Sequence, residues 1–310
     1  MAAASPRVDV IIPTRNRPSL TIEAVDSVRG QTFDDWHLWV VDDDSDDDTV
    51  ARLEDHLAGD PRVTVVARTS RGGANPARQA AFECGTAPLV ATCDSDDLWA
   101  PEKLARQVAA YDLHARRRRH VGPVLCWHRA VDLQGHQLGV VLRPRLRRWW
   151  HPFTQFNTST PLIPRSLLES AGGFASTDPY RWNTTDHLDL FLRLTHNSSL
   201  LVVPDVLVWC RHHDGVRNSD RERTLEAADE AASLVDHFAA DLSHRPAASA
   251  WLQAAVAGRY LEIGAHRQAL IHGRQALRTA DLVTSAAIAA HYGPWAARVA
   301  TRHLLTPTTT

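Results

Sequence analysis

The sequence predicts an α/β fold with a parallel sheet, followed by a helical domain. Short β-rich runs alternate with helical patterns through the first part of the chain, and this alternation is typical of a parallel sheet with helices on both faces. From about residue 220 the composition becomes rich in alanine at helical spacing. We therefore expect a Rossmann-like sheet domain over residues 1–219, a helical domain over 220–305 and a disordered tail over 306–310.

The first elements are predicted by apolar runs that a proline, a glycine or an acidic residue closes. The strands are expected at residues 8–13, 36–41, 63–66 and 89–93. The helices are expected at residues 19–29, 45–58, 75–84 and 101–118. Gly30 is a stop signal for the first of these helices, and Ser45 is expected to cap the second because its hydroxyl can accept a backbone N–H.

The later elements are less regular. Residues 121–148 mix short strands with glycines and predict an antiparallel excursion from the sheet. Short helices are expected at 165–171 and 186–196, and strands at 200–204 and 206–210. Beyond residue 220 the pattern predicts four or five helices, broken near His244, Gly264 and Gly293.

Composition excludes several classes of protein. The 310 residues include 34 Lys and Arg against 36 Asp and Glu, and this near balance argues against nucleic acid as the main partner. No apolar stretch is long enough to span a bilayer, and the N-terminus lacks the apolar core of a signal peptide. We expect a cytoplasmic protein whose four scattered cysteines are reduced thiols.

Carboxylates follow the strand expected at 89–93. Asp94 and Asp96 are two residues apart, so on an extended backbone they point the same way. Mg²⁺ or Mn²⁺ between them would relieve their repulsion, because these cations prefer oxygen ligands. An acidic loop in which Asp97 caps the next helix explains the spacing as well. Since parallel strands end at one edge of the sheet, other polar side chains should lie beside them: Thr14, Asn16, Asp42, Asp43 and Arg78.

Five stretches together resemble the family 2 glycosyltransferases, which have the GT-A fold. They are VIIPTRNR at 10–17, QTFDDWHLWVVDDDSDD at 31–47, GGANPARQ at 72–79, CDSDD at 93–97 and AGGF at 171–174. The resemblance covers roughly residues 8 to 219. The family usually has glycine where Asp44 stands and asparagine where Gln79 stands.

The resemblance implies a site for a nucleotide-diphosphate sugar. The nucleotide contacts that it implies are Pro13, Thr14, Asn16, Asp42, Asp43, Arg78, Asp94, Ser95 and Arg211. The metal ligands that it implies, for Mn²⁺ or Mg²⁺, are Asp96 and His213. Asp43 would bind the base, with Asp42 as a second candidate that is otherwise only a strand-end residue. A surface salt bridge is the alternative for Arg78, and a solvated surface histidine is the alternative for His213.

The acceptor needs a base within reach of its proton. The family carries Glu-Asp at the start of a helix that ends in Leu-x-Leu-Arg-Leu, and here that helix starts near residue 186. Aligned by its end, His187 stands at the base position. With a shift of one residue, Thr185 and Asp186 replace Glu-Asp, which keeps an aspartate there. Asp186 is therefore preferred as the base and His187 stays open; helix capping is the structural alternative for both.

The implied function is that of an inverting, metal-dependent glycosyltransferase of hexosyltransferase type, with a UDP-sugar as the expected donor. A glycan, a lipid-linked intermediate, a natural product or a peptide is the acceptor. The departure around Asp186 and His187 keeps open a non-catalytic scaffold that binds a nucleotide sugar and recruits a partner through its C-terminal helices. A nucleotidyltransferase ranks below both, because the turn at 14–18 contains no glycine.

Two features bear on partners. The stretch RPRLRRWW at 143–150 could meet an anionic membrane at its inner face, stack on an acceptor, or pack as a loop over the cleft. The C-terminal helices could form a homodimer, close over the acceptor or dock a partner. The sequence does not decide among these.

Overall fold

A computed structural model describes residues 5–117, 121–142, 157–174, 186–195, 198–213, 225–238, 243, 246–281, 284–286 and 288–289. The chain divides into two compact units. The first comprises Met1–Arg147, Gln155–Thr177 and Leu190–Asp214, and the second comprises Arg148–Thr154, Asp178–Asp189 and Gly215–Thr310. The predicted tail at 306–310 and the arginine and tryptophan stretch at 143–150 lie outside the described residues. The boundaries of the domains expected at 1–219 and 220–305 stay predictions.

One mixed sheet forms the centre of the first unit. Its strands are β1 (Val8–Thr14), β2 (Trp36–Asp42), β3 (Val63–Ala67), β4 (Leu89–Thr92), β5 (Asp97–Trp99), β6 (Val121–Val131), β7 (Gln137–Leu142), β8 (Leu162–Pro164) and β9 (Ser199–Arg211). In the sheet they are ordered β3-β2-β1-β4-β8-β6-β9-β5, and β7 pairs with β6. The helices between these strands are α1 (Pro18–Arg29), α2 (Thr49–Leu57), α3 (Ala74–Cys84), α4 (Lys103–Ala115), α5 (Arg165–Ser170) and α6 (Asp186–Thr195).

The strands that precede the polar residues run parallel. β1 pairs with β2, where Thr14 lies opposite Asp42, and with β4, where Ile11 lies opposite Thr92. Their C-terminal ends therefore meet at one edge of the sheet, as the sequence predicted.

Helices cover both faces of this sheet. Alternate residues of β1 point to opposite sides: Val8, Val10 and Ile12 join one buried cluster and Ile11 joins another. Helices α1, α2 and α4 contribute to the first cluster, and α3, α5 and α6 contribute to the second. This two-sided burial explains why the strands are apolar almost throughout.

Two expected elements are different in the structure. Ser45 does not cap α2, which begins at Thr49; its hydroxyl donates to Asp42 instead. The two strands expected at 200–204 and 206–210 are one strand, β9. The proline that suggested a break, Pro204, lies where the register against β6 shifts between Cys126 and Trp127. A bulge of this kind lets a strand contain a residue that cannot donate to the ladder.

The described helices of the second unit are α7 (Leu225–His237), α8 (Pro246–Glu262) and α9 (His266–Thr279). Helices α8 and α9 share an apolar cluster that includes Trp251 and Ala276. They are joined by a turn at Gly264, whose φ of 76° favours glycine. Among the residues that the structure describes, no helix is long and apolar enough to cross a membrane.

Candidate active site

The loops after β1 and β2 are tied to each other. The backbone N–H of Asn16 donates to Ser45 Oγ at 2.9 Å, and the backbone N–H of Asp46 donates to Asn16 Oδ1 at 3.0 Å. Asn16 has a φ of 52°, a conformation that asparagine tolerates better than most residues. Pro13 and Thr14 are buried directly before this loop. The predicted nucleotide contacts Pro13, Thr14 and Asn16 therefore lie at one edge of the sheet, where hydrogen bonds join the loops after β1 and β2.

Asp42 and Asp43 have different surroundings. Asp42 accepts the backbone N–H of Ser45 at 2.9 Å and closes its own loop. Asp43 accepts the backbone N–H groups of Gly72 at 3.0 Å and Gly73 at 2.6 Å, next to the N-terminus of α3, and it also pairs with Arg68. The positive end of the helix and the guanidinium both attract this side chain electrostatically. The nucleotide contacts of Asp42 and Asp43 stay predictions.

Arg78 is part of a buried polar chain. Its side chain is 4% exposed, so the surface salt bridge considered from the sequence does not describe it. Nη1 donates to Asn75 Oδ1 at 2.7 Å, and Nη2 donates to Asp94 Oδ1 at 2.6 Å. The other oxygen of Asp94 accepts the hydroxyl of Thr158. Asp94 is thereby fixed from two sides of the sheet edge.

Asp97 does not cap α4, whose N-cap is Glu102. It begins β5 instead and is buried with Ser95. Its carboxyl accepts the hydroxyl of Ser159 at 2.6 Å and the backbone N–H of Arg211 at 3.2 Å. Burial, and then the charges of neighbouring aspartates, raise the pKa of Asp97 well above its ordinary value. Asp97 is therefore part of the support of the acidic loop.

Asp96 and His213 meet, although 117 residues separate them: His213 Nε2 lies 3.1 Å from Asp96 Oδ2. Arg17 Nη1 donates to the same oxygen at 2.7 Å. No group of three or more His, Cys, Asp and Glu suited to a metal ion occurs in the described part of the chain. A carboxylate and an imidazole nevertheless fit a cation that takes its other ligands from water and substrate phosphates.

Arg211 links the acidic loop to α1. Its side chain is 3% exposed, and each guanidinium nitrogen donates to a protein oxygen. Nε donates to Asp96 O at 2.5 Å, Nη2 donates to Leu20 O at 3.0 Å, and Nη1 pairs with Glu23. These contacts give Arg211 a positioning role between α1 and the acidic loop; its phosphate contact stays a prediction.

The turn formed by AGGF at 171–174 is held by α3 and α6. The backbone N–H of Phe174 donates to Gln79 Oε1 at 2.8 Å, and Arg193 Nη1 donates to Ala171 O at 2.6 Å and Gly173 O at 2.8 Å. The described part of α6, Asp186–Thr195, lies within the helix predicted at 186–196. Thr185 and the side chains of Asp186 and His187 lie outside the described residues, so the assignment of the base stays a prediction.

The structure adds residues that sequence reasoning missed. Ser159 and Thr158 precede β8 and contact the acidic loop, and Asn75 contacts Arg78. Arg17 belongs to the matched stretch at 10–17, so its contact with Asp96 had a signal in the sequence. Ser159 and Thr158 had none, because they lie in a stretch without a matching pattern.

The fold and the acidic sheet edge define the class: the first unit has the GT-A fold. Mannosyltransferase PcManGT from Pyrobaculum calidifontis, solved with GDP-Man and Mn²⁺, is similar with a TM-score of 0.60 and 23% identity, covering 96% of this chain and 85% of that one. S. aureus TarS 1-349, solved with UDP-GlcNAc, is similar with a TM-score of 0.59 and 16% identity, covering 93% and 92%.

The sequence comparisons agree with the fold. Residues 9–120 match the model of Glycosyl transferase family 2. A β-1,3-glucosyltransferase, WfgD from Escherichia coli, is 32% identical over 102 residues, which are 33% of this chain and 40% of WfgD. An N-acetylglucosaminyltransferase from Rhizobium sp. is 38% identical over 109 residues, which are 33% of this chain and 24% of that protein. The chain thus matches less than half the length of these relatives.

Proposed function

We propose that the protein is a metal-dependent, inverting glycosyltransferase that moves a sugar from a nucleotide-diphosphate donor to an acceptor nucleophile. One observation carries the proposal: Asp94, Asp96, Arg78 and His213 converge at the edge where β1, β2 and β4 end. The edge lies largely within the stretch that matches the family. The acceptor class stays open among a glycan, a lipid-linked intermediate, a natural product and a peptide.

The proposed donor class is a nucleotide sugar, with UDP-sugars as the first to test. Support comes from similar proteins, which include complexes with UDP-GlcNAc and GDP-Man and a relative named as a UDP-Glc-dependent glucosyltransferase. On this chain the base would lie against the tied loops that contain Thr14, Asn16 and Asp43. The ribose and diphosphate would lie toward Asp94 and Arg78, because a guanidinium offers a planar fork of donors to phosphate oxygens.

Asp96 and His213 would hold the proposed Mn²⁺ or Mg²⁺. The cation would supply Lewis-acid stabilisation of the negative charge on the departing nucleotide diphosphate. The protein's own contribution is to orient these two ligands. Arg211 Nε donates to the backbone carbonyl of Asp96 at 2.5 Å. This hydrogen bond fixes the backbone of Asp96 and therefore helps to orient its carboxylate.

The proton of the acceptor would pass to Asp186 or His187 at the first turn of α6. A carboxylate or a neutral imidazole can each accept a proton near neutral pH when it lies within hydrogen-bond reach. Arg193 lies in the part of α6 that belongs to the first unit, and it donates to the backbone of the turn at 171–174.

The decisive experiment is a donor screen that follows both binding and nucleotide release. The protein is incubated with Mn²⁺ or Mg²⁺ and a panel of UDP-, GDP- and dTDP-sugars, and thermal shift and slow donor hydrolysis are measured. Asp96→Asn should lower metal-dependent hydrolysis by about 100-fold or more, since a Lewis acid contributes several kcal/mol. Asp112→Asn is the matched control, because Asp112 forms a partly exposed ion pair with Arg7.

Turnover of one donor that Asp96→Asn abolishes and Asp112→Asn retains would establish the reaction and its sugar. Binding without turnover, in the presence of a broad acceptor panel, would favour the scaffold that recruits a partner. Failure to bind any nucleotide with or without metal would contradict both functions. Once a donor is known, Asp186→Asn and His187→Gln assign the base, because only loss of the true base removes the rise of kcat/KM with pH.

A further inference from the structure

One carboxylate oxygen has two nitrogen neighbours at the centre of the site. Asp96 Oδ2 lies 2.7 Å from Arg17 Nη1 and 3.1 Å from His213 Nε2. The side chains of Arg17 and Asp96 are 28% and 19% exposed, so the ion pair is open to solvent on one side. Arg17 directly precedes α1 and follows Asn16, in the loop that we propose to lie against the nucleotide.

This contact conflicts with cation binding at the same oxygen. A divalent cation would sit about 2.1 Å from its carboxylate oxygen. A guanidinium nitrogen on that oxygen would then be only a few ångströms from the cation, and the two positive charges would repel each other. Arg17 and the cation therefore compete for Asp96.

A guanidinium that leaves Asp96 can bind an anionic ligand beside it. The diphosphate of the donor is such a ligand, since guanidinium groups bind phosphate oxygens through paired hydrogen bonds. Arg17 lies on the carboxylate where the metal would bind, and its side chain is partly exposed, so phosphate oxygens bound to that metal would lie near it. His213, which is 8% exposed, is more confined and would stay with the cation.

We propose that Arg17 occupies Asp96 in the ligand-free protein, gives up this carboxylate to the divalent cation, and then binds the donor's diphosphate. The inference rests on the proposed function, and it assigns Arg17 a binding role of its own. Its consequence is linkage between the two ligands. The nucleotide draws Arg17 away from Asp96 and so strengthens cation binding. The cation occupies Asp96 and so frees Arg17 to bind the nucleotide.

The test measures Mn²⁺ binding without any donor, by titration calorimetry or from the electron paramagnetic resonance signal of free Mn²⁺. Arg17→Gln should bind Mn²⁺ alone about fivefold more tightly than the wild type, the effect of removing a competing ion pair worth about 1 kcal/mol. Arg7→Gln is the matched control: it removes the same charge from another Arg–Asp pair and should leave the affinity unchanged.

The second half of the test measures UDP and GDP binding at saturating Mn²⁺. Arg17→Gln should bind the better of the two nucleotides about tenfold more weakly, since charge-assisted contacts to phosphate are the strong ones. Arg17→Lys keeps a positive charge and should bind Mn²⁺ alone with nearly wild-type affinity, which separates charge competition from a general change in the loop.

The outcomes separate the inference from the proposed function. Equal or weaker Mn²⁺ binding by Arg17→Gln would overturn the competition, and so would a gain in Arg17→Lys as large as that in Arg17→Gln. Unchanged nucleotide affinity would overturn the second role of Arg17. A wild-type protein that binds neither nucleotide with Mn²⁺ would instead contradict the proposed function. If Arg17→Gln unfolds, Arg17→Met replaces it with the same expectations.

Discussion

Ser159 donates a 2.6 Å hydrogen bond to Asp97, and this hydroxyl joins the two ends of the acidic loop. Its oxygen also accepts the backbone N–H of Asp94 at 2.9 Å. The loop between Asp94 and Asp97 carries the carboxylate proposed to bind the cation. One hydroxyl from a distant part of the chain thus supports the loop, together with the hydrogen bond of 3.0 Å from the backbone N–H of Asp97 to Asp94 O.

Replacing Ser159 by alanine should damage both stability and donor binding. The change leaves the Asp94 N–H and a buried oxygen of Asp97 without this partner, and each such loss costs about 1–3 kcal/mol. We expect Ser159→Ala to lower the free energy of unfolding in urea by roughly that amount and to weaken the binding of UDP with Mn²⁺ about tenfold. Ser170→Ala, at an exposed hydroxyl on α5, is the control. Equal effects of the two substitutions would contradict the bridging role.

The sheet and the acidic edge were predictable because their signals are local. The strand from residue 8, the aspartates from 42 and the aspartates from 94 are contiguous patterns, and parallel strands necessarily end at one edge. The parallel pairing of β1 with β2 and β4 confirms this prediction.

The support of the site could not be predicted, because long-range pairing creates it. Ser159 lies 65 residues from Asp94 and is brought near it where β8 runs antiparallel to β4. Local periodicity carries no information about such a pairing. Ser45 failed as a predicted cap for a different, local reason: the carboxylate of Asp42, three residues earlier, accepts its hydroxyl.

Asp44 stands where the family usually has glycine, and its backbone explains the preference. Its φ is 62°, in the left-handed region that aspartate tolerates and β-branched residues do not. Asp44→Val should therefore lower the free energy of unfolding by about 1–2 kcal/mol, whereas Asp44→Gly should change it by less than about 0.5 kcal/mol, because relief of strain offsets the greater freedom of the unfolded chain. Chemical denaturation of both variants checks this, and a tolerated valine would contradict it.

A buried ion pair anchors β1 to α5. Arg165 Nη2 lies 2.8 Å from Asp9 Oδ2, and Trp39 Nε1 donates to the other oxygen at 3.0 Å. Arg165→Met should destabilise the protein by about 3 kcal/mol, since it leaves a buried carboxylate without its cation. The partly exposed pair of Arg7 and Asp112 gives the contrast, because Arg7→Met should cost less than about 1 kcal/mol. Similar losses in the two variants would show that burial does not decide the effect.

Lys103, the only lysine in the sequence, should make stability depend on pH. It is fully buried, donates to Gln107 at 2.8 Å and lies 3.8 Å from the centre of the Trp99 ring. Burial lowers the pKa of Lys103 from 10.5 to about 8. Between these values the folded protein binds fewer protons than the unfolded chain, so this contribution to stability rises with pH.

The contribution of Lys103 is isolated by comparison with Lys103→Met. The stability of the variant relative to the wild type should fall by roughly 1 kcal/mol between pH 7 and pH 9, as the wild-type lysine loses its proton. The stability measurements stay below pH 9 because burial raises the pKa of the Cys126 thiol to about 11, and that thiol acts in the opposite direction above its ordinary pKa. Since the chain has one lysine, the NMR signal of ¹³C-labelled lysine reports its titration directly. Two results together would contradict this prediction: a titration midpoint of Lys103 near the ordinary value of 10.5, and a stability difference between wild type and Lys103→Met that does not change with pH. They would show that burial does not destabilise the charged form of Lys103.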